Sequence, residues 1–302
     1  MLFRSATPSN SYTAIAAPQA VKTRIVKMEL RKRALSAFKT SSPRSKVEAT
    51  LAIGPLLKEG KLDCERLLFH DAGPGRPDLP ILVEPKEVPR RSPFTAAGHA
   101  ALMHSIAHIE FNAIDLALDC VWRYAGMPEA FYRDWLLVAT EEAKHFMLLE
   151  EHLNAQGYRY GDFPAHTGLW TMCANTADDI VARMALVPRT MEARGLDATP
   201  LIQAKLTKVG SPAALEAQAI LQVILTEEVG HVAAGNRWYH WLCARHELDP
   251  AAFYALAAIQ YAAPRPKPPF NYAARLAAGF SPQELEKLDS DAGLKEIAAH
   301  ST

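Results

Sequence analysis

Residues 135–153, WLLVATEEAKHFMLLEEHL, carry Glu142 and His145 three positions apart, and residues 220–242, ILQVILTEEVGHVAAGNRWYHWL, repeat that spacing at Glu228 and His231. On a helix, a carboxylate and an imidazole three residues apart project from one side about a turn apart, so both can reach a single cation. Steps of three and four from Glu142 meet Trp135, Val138, Ala139, Phe146 and Leu149, and from Glu228 they meet Leu221, Ile224, Leu225, Val232 and Gly235. Both are apolar stripes that should face a core. Ionisable groups in such stripes must be paired, neutral or bound to metal, because an isolated buried charge costs several kcal/mol or more.

Working outward, four long helical segments are expected at about 95–125, 128–155, 169–194 and 212–246, punctuated by Pro128, Gly157, Gly195 and the Ser211-Pro212 pair. The connection GYRYGDFPAHTG, residues 157–168, is longer than the turn at Gly126-Met127. The predicted fold class is therefore all-α, a ferritin-like four-helix bundle with one long crossover. A two-metal carboxylate site in such a bundle takes a Glu from each of two helices and a Glu-x-x-His pair from each of the others. On the first helix Glu110 fits, its one-turn neighbours Met103, Ile106, Ala107, Ala113, Ile114 and Ala117 being apolar. On the third, Glu192 is the only carboxylate between Asp179 and Asp197, with Val181, Ala185, Pro188 and also Arg189 on its side. Pro188 should weaken the helix one turn before Glu192, and a local kink there would aim the carboxylate.

The expected metal ligands are thus Glu110, Glu142, His145, Glu192, Glu228 and His231. Carboxylate and imidazole without thiolate suit two iron ions, with manganese as the second choice, and four Glu balance two divalent cations. Each Glu-x-x-His follows a doublet, so Glu141 or Glu227 is an alternative ligand to its neighbour. Glu141, flanked by Asp134 and Lys144, is expected at the surface. Asp115, Asp178 and Asp179 are candidates to orient the ligand histidines, with surface positions as the ordinary reading. His104 and His108 are expected to be exposed, His166 to lie in the crossover, and Trp170, Trp238, Tyr239 and Trp241 to serve packing.

This ligand order resembles the ferritin-like di-iron superfamily. The run from about 90 to 288, through AHIEFNAIDLALD, DWLLVATEEAKHF, GDFPAHTGLW, ALVPRTMEARGLD and ILTEEVGHVAAGNRW, resembles the bacterial family known as domain of unknown function 455. The order is also similar to that of the tRNA-modifying di-iron monooxygenases, which hydroxylate an isoprenyl group on an adenosine; that likeness is confined to the ligands. The family resemblance bears on fold and fixes no reaction; the mixed carboxylate and imidazole ligation leads to the expectation of dioxygen-dependent oxidation or hydroxylation of a small organic substrate, with an electron donor that the sequence does not identify. A ferroxidase or other iron-handling protein, and a metal-free helical scaffold, are the competing readings.

With 302 residues, 49% of them hydrophobic and 22% charged, the chain is long enough and apolar enough to bury a large core. Its 33 basic and 33 acidic side chains cancel, which gives no support for nucleic acid as a partner. Cys64, Cys120, Cys173 and Cys243 are widely spaced, as expected of reduced thiols in a cytoplasmic protein. The longest weakly polar run, at 251–263, is too short to cross a bilayer. Residues 1–28 lack acids and resemble a transit peptide in composition, but are read as a flexible tail. The expected division is that tail, an N-terminal helical arm and Pro/Gly-rich connector at 29–92, the bundle at 93–246, and a Pro-rich C-terminal extension at 247–302 packed on it.

Overall fold

A computed structural model describes residues 29–288 and Ser290, so the flexible-tail expectation for 1–28 falls outside the described residues. Among those residues every regular element is helical, and the isolated bridge between Leu82 and Ala165 is the one β-type pairing. The chain is all-α.

The elements are α1 (Leu30–Phe38), α2 (Pro43–Leu51), α3 (Ala96–Arg123), α4 (Glu129–Ala155), α5 (Gly168–Asn175), α6 (Ile180–Leu186), a π-helical turn (Val187–Glu192), α7 (Ala193–Val209), α8 (Pro212–Arg245), α9 (Pro250–Gln260), α10 (Tyr272–Ala277) and α11 (282–288). Local chemistry sets many of these starts. Thr95, Asp179, Ser211, Asp249 and Asn271 each accept a first-turn N–H at the head of their helices, and Pro43, Pro212 and Pro250 occupy first positions where no N–H is needed.

Helices α3 and α4, joined by the short turn at Gly126, pack most extensively; α4 also packs on α8, and α8 packs on α6, the π-turn and α7. Arg183 of α6 returns to α3, donating to Asp119 Oδ2 at 2.7 Å and to Thr176 Oγ1 at 2.9 Å. On the outside of α3, α1 is pinned by the buried Arg31, whose guanidinium donates to the carbonyls of Val121 (2.9 Å), Trp122 (3.0 Å) and Asp63 (2.8 Å). A cation over the free carbonyls at the end of α3 is favourable both as a hydrogen-bond donor and against the helix dipole.

The stretch expected as one helix over 169–194 is divided. Helix α5 stops at Asn175, α6 restarts under the Asp179 cap, and Pro188 diverts the chain into the π-turn, since it has no N–H to continue an α-helical ladder. Gly195, expected to end this helix, does not. Helix α7 runs on to Val209 and stops at Gly210, whose φ of 65° is left-handed. Pro200 inside α7 leaves the Leu196 carbonyl without its N–H, and the Asn271 side chain takes that acceptor at 3.1 Å.

Two surface expectations are corrected. Asp115 is fully buried on α3 in an ion pair with the equally buried Lys46 of α2, which also donates to the Gly75 carbonyl at 2.9 Å. His104 and His108 are buried, because the crossover covers the face of α3 on which they lie. His104 Nε2 accepts from Gly161 N at 2.9 Å, and His108 Nδ1 meets the Tyr160 hydroxyl at 2.8 Å.

His104 has a pH consequence. Burial holds its pKa down at about 4, below the ordinary 6.5 of an unfolded imidazole. The unfolded chain therefore binds the extra proton, so this residue's contribution is complete above about pH 6.5 and is lost as pH falls toward 4. Urea midpoints measured across that window should fall with acid in the wild type, and less steeply in His104→Gln.

Candidate metal centre

Glu110 comes from α3, Glu142 and His145 from α4, Glu192 from the π-turn, and Glu228 and His231 from α8; all six are buried. Single ligand-type atoms of Glu110, Glu142, His145 and Glu228 lie within 4.8 Å of one another. His145 Nδ1 is 3.4 Å from Glu110 Oε2 and 3.3 Å from Glu142 Oε2. His231 Nδ1 lies 2.8 Å from Glu142 Oε1 and 3.4 Å from Glu228 Oε1. Glu142 therefore presents one oxygen to each imidazole, and the two rings are 5.7 Å apart.

Glu192 stands outside the tight group of four but in the same electrostatic field. Burial, and then the charges of Glu228 and Glu142, raise its pKa well above the carboxylate range. The π-turn is what brings it inward. Arg189, which an unbroken α-helix would place on the same side, instead pairs with Glu284 and lies over the rings of Tyr239, Tyr254 and Phe280. Thr190 holds the turn by donating from Oγ1 to the Ala185 carbonyl at 2.8 Å.

Helix α8 approaches this turn through Gly235, where an added Cβ would sit 2.6 Å from Pro188 Cβ and 2.7 Å from its Cγ. A proline ring cannot swing aside, so Gly235→Ala should cost about 1–3 kcal/mol of stability, checked by denaturant unfolding, and should shift Glu192.

Several polar atoms of this cluster have no hydrogen-bond partner: Glu110 Oε2, Glu142 Oε1, both oxygens of Glu192, and His231 Nδ1. The 2.8 Å approach of His231 Nδ1 to Glu142 Oε1 is not oriented as a hydrogen bond. Each such buried atom costs about 1–3 kcal/mol when left unmatched. The same crowding sets the protonation. Burial and the neighbouring Glu142 push the Glu110 carboxyl up to about 8. Burial alone would lower the pKa of His145, but the adjacent acids Glu110 and Glu142, the latter also hydrogen-bonded to Nδ1, outweigh it and carry it up to about 11. His231 is raised for a similar reason, burial being outweighed by the charges of Glu142 and Glu228 and by its hydrogen bond to Glu141. Carboxylates and imidazoles gathered with their lone pairs facing one another are a donor set that a cation would satisfy. The buried cluster can hold a metal ion.

The doublet acids have a role that the sequence did not reveal. Glu227 Oε2 meets His145 Nε2 at 2.8 Å, and Glu141 Oε2 meets His231 Nε2 at 2.8 Å. The acid preceding each buried Glu thus serves the imidazole of the opposite helix. Burial would raise the Glu227 pKa, but hydrogen bonds from Lys144 and His145 lower it, which keeps it an anion able to accept the Nε2–H. With a cation in place of the second ring proton, that bond would leave Nδ1 as the inward-facing ligand atom. Asp178 and Asp179, the other candidates for this task, belong instead to the turn before α6, where Asp179 caps the helix. Glu227→Gln and Glu141→Gln should each weaken metal binding about 10- to 100-fold, measurable by competition with a chromophoric chelator.

Of the remaining candidates, His166 is exposed in the crossover and Trp238 packs on Phe131 and Trp241. No helix of the described residues is long and apolar enough to cross a membrane.

The family described as "Protein of unknown function (DUF455)" matches residues 39–286. The chain is similar to an uncharacterized protein of Haemophilus influenzae, with 44% identity over 263 residues that cover 83% of this chain and 90% of the relative. No solved structure matches it.

Proposed function

The chain belongs to the DUF455 family, and from the site it carries we propose that it is a di-iron carboxylate protein that oxidises a small organic substrate with dioxygen. In this reading α3, α4, α8 and the α6 to α7 stretch form a ferritin-like four-helix arrangement at 93–246, with the N-terminal arm and the C-terminal extension packed around it. The observation that carries the proposal is the set of buried, unmatched donor atoms on Glu110, Glu142, Glu192 and His231, facing one another where stability alone would have paired or removed them.

Two ions would draw on six side chains: Glu110 and His145 would hold one, Glu192 and His231 the other, and Glu142, which has an oxygen toward each imidazole, would be shared along with Glu228. Ferrous iron held there would supply reaction with dioxygen and the oxidation of a substrate; manganese fits the same donors. Glu141 and Glu227 hold the imidazoles in the ligating tautomer, and the apolar stripes of α4 and α8 keep water from the carboxylates. A cleft of about 250 Å³ between α4 and α8, lined by Asp134, Glu141, Glu227, Gly230 and His231, is the proposed approach for a small polar substrate.

The test is anaerobic reconstitution with ferrous iron followed by a pulse of dioxygen. The proposal expects about two irons per chain and dioxygen uptake that, with a reductant present, continues beyond the iron equivalents. Uptake that stops once the iron is oxidised, with iron oxide accumulating, would instead favour iron handling.

A further inference from the structure

A second group of chemically capable side chains lies toward one end of the same helices. His99, in the first turn of α3, and His152, in the last turns of α4, are both buried, and their Nε2 atoms are 2.9 Å apart. Glu216, in the first turns of α8, places Oε2 3.3 Å from His152 Nδ1. His99 and Glu216 line a cavity of about 610 Å³ between the heads of α3 and α8 and the end of α4, and His152 lies behind them. Along the helix axes, His99 is about 16 Å from Glu110 and His152 about 10 Å from His145, so this group is separate from the carboxylate cluster.

Geometry and partner accounting both bear on what this pair does. Two imidazole nitrogens bound at about 2.0–2.1 Å to one tetrahedral zinc-class ion are separated by about 3.3–3.4 Å, so the rings would part by about 0.4 Å from their 2.9 Å hydrogen-bonded contact to admit it. A hydrogen bond between the two rings would match the Nε2 atoms, but it leaves the buried Nδ1 atoms of His99 and His152 without hydrogen-bond partners. Ligation through both Nε2 atoms moves each ring's remaining proton to Nδ1, and on His152 that atom lies 3.3 Å from Glu216 Oε2, so a small rotation of the exposed Glu216 side chain would complete the hydrogen bond. In the carboxylate cluster, Glu227 with His145 and Glu141 with His231 already make that carboxylate-to-imidazole bond, each at 2.8 Å. Burial, with His152 beside it, keeps His99 below the usual imidazole range and therefore available as a neutral ligand.

We propose that His99 and His152 form a second metal site, taking one zinc-class divalent ion through their Nε2 atoms, with Glu216 positioning His152 and water from the cavity completing the coordination. Two protein ligands and an open cavity make this an exchangeable site, unlike the enclosed cluster.

Equilibrium dialysis of the full-length protein against excess Zn2+ tests it. The wild type should bind one ion more per chain than the His99→Asn, His152→Asn double variant, and Glu142→Ala, Glu228→Ala should retain this extra ion even when its own centre binds nothing. Glu216→Gln should weaken the extra ion about 10- to 100-fold. In crystals of the wild type soaked in Zn2+, anomalous scattering at the zinc edge should peak between the two Nε2 atoms, a readout that does not depend on any variant folding. Equal zinc content in the wild type and the histidine variant, or no anomalous peak between the rings, would reduce the pair to a hydrogen bond and overturn the proposal.

Discussion

Replacing Glu142 and Glu228 together by alanine is expected to take the metal content of the Glu110/Glu142 centre from two ions per chain to none. Glu142 faces both imidazoles and Glu228 completes the tight group, so their loss removes the two carboxylates shared between the proposed ion positions. The metal-free chain should still fold, because the change also removes two of four mutually repelling buried acids. The contrast appears in thermal unfolding with and without ferrous iron under anaerobic conditions. An ion held by the native state alone stabilises it by about 2.7 kcal/mol at a hundred times its Kd, and each bound ion adds such an increment. The wild type should melt higher on metal addition and the double variant should not. An equal upward shift in both would show that the ligands lie elsewhere.

The largest effect on stability is expected at the opposite face of α3. Lys46→Met leaves Asp115 buried without its cation, and breaking one side of a fully buried pair costs about 3–5 kcal/mol. Burial already pushes Asp115 up to about 6 even with Lys46 beside it, which shows how poorly the site tolerates the bare carboxylate. The paired change Lys46→Met, Asp115→Leu removes both charges and should recover most of that loss. Denaturant midpoints of the two single variants and the pair give the coupling directly. A Lys46→Met variant within about 0.5 kcal/mol of the wild type would mean that α2 docks by apolar contact alone.

Both predictions show what could be read from the chain and what could not. The helical phase placed Glu110, Glu142, His145, Glu228 and His231 on apolar stripes, and those residues are buried together, because α3, α4 and α8 are long, regular and well capped. Glu192 was harder. On an α-helix Arg189 shares its side, and only the π-turn at Pro188 separates the two, sending Arg189 to Glu284 and Glu192 inward. The expectation of a kink at that proline was sound, while the length of the helix around it was not, since a cap at Asp179 and a lent side chain at Asn271 depend on contacts distant in sequence. In the sequence Glu141 and Glu227 stand only as rival ligands to their neighbours. Their pairing with the histidine of the other helix depends on how α4 and α8 face each other, which no pattern within either helix records. Sequence alone puts Asp115, His104 and His108 at the surface, because a helix with one apolar stripe ordinarily turns its other side to water. Here α1 and the crossover pack on that side of α3, and Lys46 reaches it from α2, which itself packs on α4 and α1.

The central claim is that side chains from α3, α4, the π-turn and α8 hold two ions side by side. Anomalous scattering at the iron edge from crystals of the anaerobically reconstituted protein tests it most directly. Two peaks about 3.5–4 Å apart, one on either side of Glu142, are the predicted result. A chain carrying full iron with no peak within ligand distance of Glu142 would contradict it.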